Sequence, residues 1–273
     1  MADYEFTILG CGASGGVPRV GMDWGRCDPL NPKNRRRRCA LLIERIGPGG
    51  RTTVLIDTGP DIHHQLVDAG VRHLDAVLYT HAHADHIHGI DDLRGLAYAL
   101  KRRVDVHMDA PTSARAHAAF GYCFTTPEGS FYPPILNEHR LTPGEPVVIQ
   151  GAGGPVSVWP ARVNHGEIDA LAFRVAGVAY SPDVVDIPEE SLPLFQGLDL
   201  WIIDALRPGH KHPSHFSLED ALFWIGRMTP ERSILTNLHI DMDYDWLTRT
   251  LPDDVIPAYD RMRILHSVAD DRV

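Results

Sequence analysis

Four candidate metal ligands directly follow one apolar strand in the segment LDAVLYTHAHADHIHGIDDLRG. The pattern predicts a β-strand over Leu74–Thr80, after which His81, His83, Asp85 and His86 occur within six residues. Imidazole nitrogens and carboxylate oxygens are common protein ligands of zinc, manganese and iron, and a strand end can hold several of them around one small volume. The alternatives are a surface histidine cluster and a purification tag, but a tag has no interleaved aspartate and does not follow a buried strand. The segment therefore predicts a sheet with a metal site at its edge.

The rest of the chain alternates short apolar strands with helical patterns. Runs such as TTVLID, GVAYS, DLWIID and SILTNL are apolar on both faces, as expected for strands covered by helices. Ser217 with Asp220 three residues later has the spacing of a capping box, which marks a helix start. No linker is evident, so residues 1–273 are predicted to form one layered α/β domain, with a loop or lid over 121–155. Helices are predicted over Asp61–Ala69, Ile87–Lys101, Thr112–Phe120, Ser217–Met228 and Tyr244–Thr250.

Composition restricts the class of partner and the compartment. The formal net charge of −10 argues against an extended nucleic-acid surface, because neutralising phosphates requires a basic one. The start, MADYEFTILG, lacks a basic segment followed by an apolar one, and no window approaches about eighteen uninterrupted apolar residues. We therefore expect a cytoplasmic protein without membrane contact. The four cysteines contain no C-x-x-C pair, which favours reduced thiols over a disulfide framework.

A glycine-rich segment near the N-terminus, EFTILGCGASGGVPR, contains the pattern G-x-G-x-x-G in Gly10, Gly12 and Gly15. In a dinucleotide-binding fold this pattern leads directly into a helix whose N-terminus faces the pyrophosphate. Here the following residues, GVPRVGMDWGRCDPLNPKN, contain too much proline and glycine for a helix. The sequence therefore favours a tight glycine turn after a strand over a dinucleotide site.

The HAHADH motif resembles the signature of the metallo-β-lactamase superfamily. The resemblance implies a four-layer αββα sandwich with two divalent metal ions, zinc or manganese, at the edge of the sheets. It also implies a third histidine after a later strand, an aspartate that bridges the metals and a final histidine near the C-terminus. The implied ligands are His81, His83 and His165 for one metal, Asp85, His86 and His239 for the other, and Asp183 as the bridge.

Within the superfamily, the segments GCGASGGVPR, DTGPD, HADHIHGIDDLR and HPSHFSLEDA most resemble the branch of ribonuclease Z and the phosphoribosyl cyclic phosphate phosphodiesterases. The resemblance implies that Asp57 orients a histidine ligand, since ligating imidazoles usually donate their other N–H to a carboxylate or carbonyl. It implies Asp85 and His215 as catalytic residues, with His215 binding the phosphate or protonating the leaving oxygen. The alternatives are a turn residue at 57 and a surface histidine at 215, and His210 and His212 are interpreted as bystanders.

These features lead to the hypothesis of a dinuclear metal-dependent phosphodiesterase that hydrolyses a small cyclic-phosphate or nucleotide-like phosphodiester through a metal-bridging hydroxide. Only Cys27 and Cys39 stand where the cyclic phosphodiesterases have clustered cysteines, too few for their additional structural zinc. The long basic arm of ribonuclease Z has no counterpart. The alternatives are a tRNA 3′-processing endonuclease and a non-catalytic metal-dependent carrier on the same fold. By analogy with the branch, we expect a homodimer.

Candidate substrate contacts come from the glycine-rich loop and from two arginines. Ser14 and Gly15 lie in that loop, and we expect the amides of residues 13–16 to face the substrate phosphate or the rim of the site. Arg38 ends a basic run and Arg94 follows the ligand motif, and guanidinium groups suit phosphate. The alternatives are a solvated face for the basic run and an ion pair with Asp91 for Arg94.

Overall fold

Two seven-stranded β-sheets pack face to face, and helices cover both outer faces. The structure is a computed structural model that describes residues 2–209 and 211–268. The strands are β1 (Ala2–Gly10), β2 (Ala40–Gly47), β3 (Gly50–Ile56), β4 (Ala76–Leu78), β5 (Val104–Met108), β6 (Leu136–Arg140), β7 (Val147–Ile149), β8 (Val156–His165), β9 (Ile168–Val175), β10 (Val178–Ser181), β11 (Leu200–Asp204), β12 (Ser233–Thr236), β13 (Val255–Pro257) and β14 (Met262–Val268). The α-helices are α1 (Ile62–Asp68), α2 (Ala84–Ile87), α3 (Arg94–Leu100), α4 (Ala110–Phe120), α5 (Leu218–Met228) and α6 (Tyr244–Thr250), and shorter 3-10 turns cover Pro32–Asn34, Ile90–Leu93, Gly121–Cys123 and Glu189–Phe195.

Both sheets are mixed, and in each the strands toward one end run parallel. The order is β14-β1-β2-β3-β4-β5-β6 in the first sheet and β13-β12-β11-β10-β9-β8-β7 in the second. Strands β3 to β6 pair in parallel, as do β10 to β13. Because parallel strands end at the same edge of a sheet, the residues that follow them gather there. The fold thus collects loop residues from distant parts of the sequence at one edge.

Alternating side chains along the strands form three apolar layers. Val54 and Ile56 point into the core between the sheets, whereas Leu55 points outward beneath α1, α3 and α4. In the second sheet, Ile202 packs between the sheets and Ile203 packs under α5 and α6. Fully burying one such side chain contributes about 1.5–3 kcal/mol. The strands are apolar on both faces because both faces are covered, which confirms the predicted αββα sandwich.

The helix predicted over Ile87–Lys101 is interrupted. The chain instead forms α2, a 3-10 turn over Ile90–Leu93, and then α3, which ends at Leu100. The break follows from Gly89, whose N–H donates to the carbonyl of Thr58 at 2.7 Å and so does not continue the helix. A Cβ on Gly89 would lie 2.3 Å from the carbonyl oxygen of Gly59. Close packing between two loops therefore overrides the local helical pattern.

The segment over residues 121–155, predicted as a loop or lid, contains two edge strands. β6 closes one end of the first sheet and β7 one end of the second. β6 has the mostly polar sequence LNEHR, which gives no apolar strand signal. The other helix predictions agree with the structure within two residues, and the capping box of Ser217 and Asp220 is formed. Within the described residues, no helix has the length and apolarity needed to cross a membrane.

Candidate metal centre

Two groups of ligand atoms meet at the edge where strands of both sheets end. The first sheet supplies the HAHADH segment, which follows β4, and the second supplies His165 at the end of β8 and Asp183 just after β10. All ligand atoms within each group lie within 4.8 Å of one another. The first group is His81, His83, His165 and Asp183, and the second is Asp85, His86 and Asp183.

The spacing within the groups fits divalent metal ions. His83 Nδ1 lies 3.0 Å from His81 Nε2 and 3.1 Å from His165 Nε2. Oδ2 of Asp183 lies 3.3 Å from His81 Nε2 and 3.5 Å from His165 Nε2. Ligands about 2.0–2.2 Å from a tetrahedral metal are separated from each other by about 3.3–3.6 Å. The four atoms are therefore close enough together to bind one metal ion.

The second group uses the same oxygen of Asp183. His86 Nε2 lies 3.2 Å from Asp183 Oδ2 and 3.4 Å from Asp85 Oδ2. Asp183 thus stands between the two groups, as the resemblance to the superfamily implied for the bridging residue. Nitrogen and carboxylate donors of this kind suit zinc and manganese.

His239 stands apart from both groups in this structure. Its Nδ1 lies 2.9 Å from Oδ2 of Asp241, and its Nε2 contacts the guanidinium of Arg19. To bind a metal through Nε2, His239 would first have to separate from Arg19. The implied role of His239 thus depends on a local rearrangement.

A buried carboxylate orients two of the histidines. Asp57 is fully buried, and its Oδ2 accepts a hydrogen bond from His86 Nδ1 at 2.7 Å. The same carboxylate accepts hydrogen bonds from the backbone N–H and the hydroxyl of Thr80, both at 2.8 Å. The Thr80 oxygen in turn lies 3.0 Å from Nδ1 of His81. Asp57 thus contacts His86 directly and His81 through Thr80, and Nε2 of both rings faces the ligand groups.

Close backbone contacts hold the ligand segment against the loop after β3. The N–H of Thr58 donates to the carbonyl of His86 at 2.7 Å. A Cβ on Gly59 would lie only 2.0 Å from the carbonyl oxygen of Asp85, so no larger residue fits there without displacing the ligand segment. Glycine at this position therefore sets the placement of Asp85 and His86.

His215 lies beside the first group and is held by a second buried carboxylate. Its ring packs edge-on against that of His165, with 4.7 Å between ring centroids. Its Nδ1 donates to Oδ2 of Asp204 at 2.9 Å, and Asp204 is fully buried at the end of β11. Asn237, just after β12, donates to both Asp204 and Asp183. His210 lies outside the described residues, and the ring of His212 is tilted against that of His215, with 5.1 Å between ring centroids.

Charge in the centre favours a bound cation. Burial and the neighbouring His86 lower the pKa of His81 well below its usual range, which keeps this ring neutral and able to bind metal. Burial opposes protonation of His86, but Asp183 and Asp85 outweigh it and raise the pKa of His86 well above its usual range. Burial would raise the pKa of Asp183, but the surrounding imidazoles hold it well below its usual range. The ionised carboxylates thus favour a positive charge in the centre. A divalent metal ion would supply that charge.

The glycine-rich loop lies next to this centre. The N–H of Ala13 donates to the carbonyl of Leu238, directly before His239, at 3.3 Å. The N–H of Gly16 donates to the carbonyl of Ala13 at 2.7 Å. The expectation for residues 13–16 is therefore corrected in part, because these two amides are engaged within the protein. Ser14 and Gly15 are exposed. Residues 11–31 form no helix, in agreement with the rejection of a dinucleotide site.

The two candidate arginines differ in their surroundings. Arg38 forms an ion pair with Asp61 at 3.1 Å and lies close to Gly16 of the glycine-rich loop. Arg94 forms an ion pair with Asp91, the alternative that the sequence left open, and lies over the ring of Tyr98. Arg38 therefore lies beside the glycine-rich loop, and each of the two arginines is paired with a neighbouring aspartate.

Four residues at the centre were not identified from the sequence. Thr80, Asp204 and Asn237 each end or follow a strand as single polar residues, and Arg19 lies in an irregular loop. The signal available in the sequence was position, since β11 ends in the segment LWIID and Asn237 directly follows the segment SILT of β12. A polar residue that closes an otherwise apolar strand at the ligand edge indicates a site residue.

The comparison with known families agrees with this geometry. Residues 52–240, more than half of the chain, match the family described as Beta-lactamase superfamily domain. The chain belongs to the metallo-β-lactamase superfamily. The match begins in β3 and ends just after His239, so it includes every candidate metal ligand. The resemblance to this superfamily that the sequence predicted is therefore confirmed.

Individual relatives have different named functions. The chain is 31% identical over 260 residues to the Octanoyltransferase of Porphyromonas gingivalis, covering 94% of this chain and 51% of that protein. It is 44% identical over 64 residues to the Ribonuclease Z of Bradyrhizobium diazoefficiens, covering 23% of this chain and 20% of that protein. The chain thus spans about half, or less, of the length of these two relatives.

A solved structure matches the whole chain. The crystal structure described as a new diphosphatase from the PhnP family has a TM-score of 0.86 and 29% sequence identity. The match covers 97% of this chain and 98% of that one. The arrangement of sheets, helices and loops is therefore shared along nearly the full length of both chains.

Proposed function

We propose that this protein is a dinuclear metal-dependent phosphodiesterase that hydrolyses a small cyclic-phosphate or nucleotide-like diester. The observation that carries the proposal is the pair of ligand groups that share Oδ2 of Asp183, with His215 directly beside them. Two adjacent cations can stabilise both the attacking and the leaving oxygens of an in-line displacement at phosphorus. The similarity to a diphosphatase supports chemistry at phosphorus.

The ligand roles in this proposal follow the two groups of atoms. His81, His83 and His165 would hold one ion, Asp85 and His86 the other, and Asp183 both. His239 would join the second group after leaving Arg19. Two divalent ions, zinc or manganese, would stabilise negative charge on the phosphate and activate water as the nucleophile. Asp57 and Thr80 keep the ligand nitrogens directed inward.

The catalytic and substrate-binding residues are further parts of the proposal. Asp85 acts as ligand and catalytic carboxylate, and His215 donates a proton to the leaving oxygen. The exposed Ser14 and Gly15 contact the substrate at the rim, with Arg38 behind them. Arg94 contributes only where its ion pair with Asp91 opens.

A small substrate is favoured over transfer RNA. The net charge of −10 provides little attraction for a long phosphate backbone. Local similarity to a Ribonuclease Z covers 23% of the chain. We further propose a cytoplasmic homodimer, as predicted from the sequence.

A substrate panel tests this function. Protein loaded with zinc or with manganese is assayed on bis-p-nitrophenyl phosphate, on cyclic and linear phosphodiesters, on a precursor tRNA and on an octanoyl thioester. We expect turnover of small diesters. Cleavage of the tRNA without turnover of small diesters would instead identify a processing nuclease, and tight ligand binding without any turnover would identify a carrier.

The ligand assignment has its own test. Elemental analysis of the His83→Ala and Asp183→Ala variants is compared with the parent protein and with His139→Ala, a matched control on β6. We expect less bound metal in the first two and unchanged metal in the control. Full metal content in His83→Ala and Asp183→Ala would refute the assignment.

A further inference from the structure

Two segments that contact the backbone around His239 each carry an arginine. An amide of the glycine-rich loop donates to the carbonyl of Leu238 at 3.3 Å, and Arg19 follows in the same irregular segment. The N–H of His239 donates to the carbonyl of Leu206 at 3.0 Å, and Arg207 is the next residue. Burial lowers the pKa of His239, and the positive charges of Arg19 and Arg207 lower it further. The fold therefore places two guanidinium groups near this ring.

The side chain of Arg19 lies over the exposed Gly15. A Cβ on Gly15 would lie 3.2 Å from Cγ and 3.4 Å from Nε of Arg19. From there the guanidinium reaches Nε2 of His239. Within the described residues Arg19 forms no ion pair with a carboxylate. If His239 bound a metal ion through Nε2, the guanidinium of Arg19 would lose this partner.

The guanidinium of Arg207 has no anionic partner in the described part of the chain. Its Nε is buried there without a hydrogen-bond partner, although the residue as a whole is only half-buried. The carboxylate next to His239 belongs to Asp241, and it contacts that imidazole at 2.9 Å and neither arginine. Burying a charge costs free energy unless an opposite charge or a hydrogen-bond partner compensates it. Arg19 and Arg207 are thus suited to an anion from outside the protein.

We propose that Arg19 and Arg207 together bind a second phosphate group of the substrate, a phosphomonoester that is not hydrolysed. Guanidinium groups form paired, charge-assisted hydrogen bonds with phosphate and stay protonated at physiological pH. A phosphomonoester carries about two negative charges near neutral pH, which match the two arginines. Because His239 stands apart from both ligand groups, a phosphate held beside it lies outside the place where the diester is hydrolysed.

The inference rests on the proposed phosphodiesterase function, and it adds a feature of the preferred substrate. That substrate carries a phosphomonoester in addition to the diester, and no bond forms or breaks at the phosphomonoester. Free orthophosphate has the same chemistry, so the experiments separate a phosphate attached to the substrate from a free one.

Substrate pairs that differ by one phosphate test the proposal. Zinc-loaded protein is assayed on thymidine 5′-(p-nitrophenyl phosphate) with and without a 3′-phosphate, and on adenosine 2′,3′-cyclic phosphate with and without a 5′-phosphate. In at least one pair we expect kcat/KM of the parent to be about 10–100-fold higher for the phosphorylated substrate, mainly through a lower KM. Arg19→Met and Arg207→Met should each reduce this ratio to less than about threefold.

The matched control is Arg227→Met, which removes an exposed arginine that lies over Trp224 on α5. Its ratio should equal that of the parent. Arg207→Lys keeps the charge without the paired hydrogen bonds, so it should retain part of the ratio. A parent without preference in either pair would overturn the inference even if the variants do not fold, and so would an unchanged ratio in Arg19→Met and Arg207→Met.

Calorimetry gives a readout without turnover. Thymidine 3′,5′-bisphosphate and thymidine 5′-phosphate are titrated into the zinc-loaded parent and variants, and orthophosphate is titrated separately. We expect the parent to bind the bisphosphate about 10–100-fold more tightly than the monophosphate, and both arginine variants to bind the two nucleotides with similar affinity. Equal affinity for both nucleotides in the parent, with orthophosphate binding that depends on the arginines, would identify a site for free phosphate and overturn the substrate role.

The two proposals can fail separately. A protein that hydrolyses no phosphodiester but binds the bisphosphate through both arginines would contradict the proposed function and not the phosphate site. Hydrolysis of the diesters without any effect of the additional phosphate would contradict the phosphate site and leave the proposed function intact.

Discussion

Replacing Asp57 with asparagine should weaken metal binding without unfolding the protein. The carboxylate accepts three hydrogen bonds, from His86 Nδ1 at 2.7 Å and from the backbone and hydroxyl of Thr80 at 2.8 Å. Asparagine offers one oxygen and presents an NH₂ group to donors on the other side. One charge-assisted hydrogen bond to a ligand histidine is therefore lost or inverted.

The size of the effect follows from that bond. A hydrogen bond to a charged group contributes about 1.5–3 kcal/mol, and about 1.4 kcal/mol corresponds to a tenfold change in affinity. We expect ion affinity to fall about 10–100-fold, the range typical for groups that orient metal ligands. The ion bound through His86 should be affected most, because Asp57 contacts that ring directly.

Competition with a chromogenic zinc chelator measures this affinity, and elemental analysis gives the number of ions retained. The matched control is Asp109→Asn, at the N-terminus of α4, where asparagine can accept the same hydrogen bond from the N–H of Thr112. Its affinity should equal that of the parent. The reasoning is refuted if Asp57→Asn folds and binds both ions within about threefold of the parent affinity.

Three further outcomes are expected. Gly59→Ala places a Cβ 2.0 Å from the carbonyl of Asp85 and should lower both Tm and metal content, whereas Gly95→Ala, in open space on α3, should leave metal content unchanged and raise Tm slightly. An equal metal content in both variants would contradict this. Burial and the neighbouring His139 lower the pKa of His107 to about 4, so the unfolded chain binds more protons below about pH 6.5. Acidification from pH 6.5 to 4 should therefore cost the parent about 1–3 kcal/mol more than His107→Asn in denaturant unfolding, and parallel pH curves would argue against it. Chelation should lower Tm in calorimetry, because an ion at about 100 times its Kd adds about 2.7 kcal/mol to the stability of the folded state, and an unchanged Tm would exclude a bound ion.

Local sequence patterns predicted much of this fold. The apolar strands and the HAHADH segment are continuous in sequence, so their periodicity and spacing predicted a sheet edge with metal ligands. The helix expected over Ile87–Lys101 failed because its interruption at Gly89 depends on Thr58, a contact between distant residues. Strand β6 was missed because an edge strand can be polar and still pair on one side.

Among the residues that orient the site, Asp57 was predicted from the segment DTGPD, whereas the sequence signal for Asp204 and Asn237 was only their position at strand ends. Asp204 and Asn237 are single polar residues whose importance appears only when strands β11 and β12 stand side by side. The contact between His239 and Arg19 joins residues far apart in the chain, and no local pattern predicts it.

The shared oxygen of Asp183 has a consequence for how this protein takes up metal. One oxygen atom faces both ligand groups. The affinity of one group for a metal ion would therefore depend on whether the other group is occupied. In the proposed dinuclear centre, a first ion would withdraw electron density from the carboxylate that a second ion needs, and it would also fix that carboxylate in place. The two occupancies would therefore be thermodynamically linked, and titration with metal should give a curve that two independent sites cannot describe.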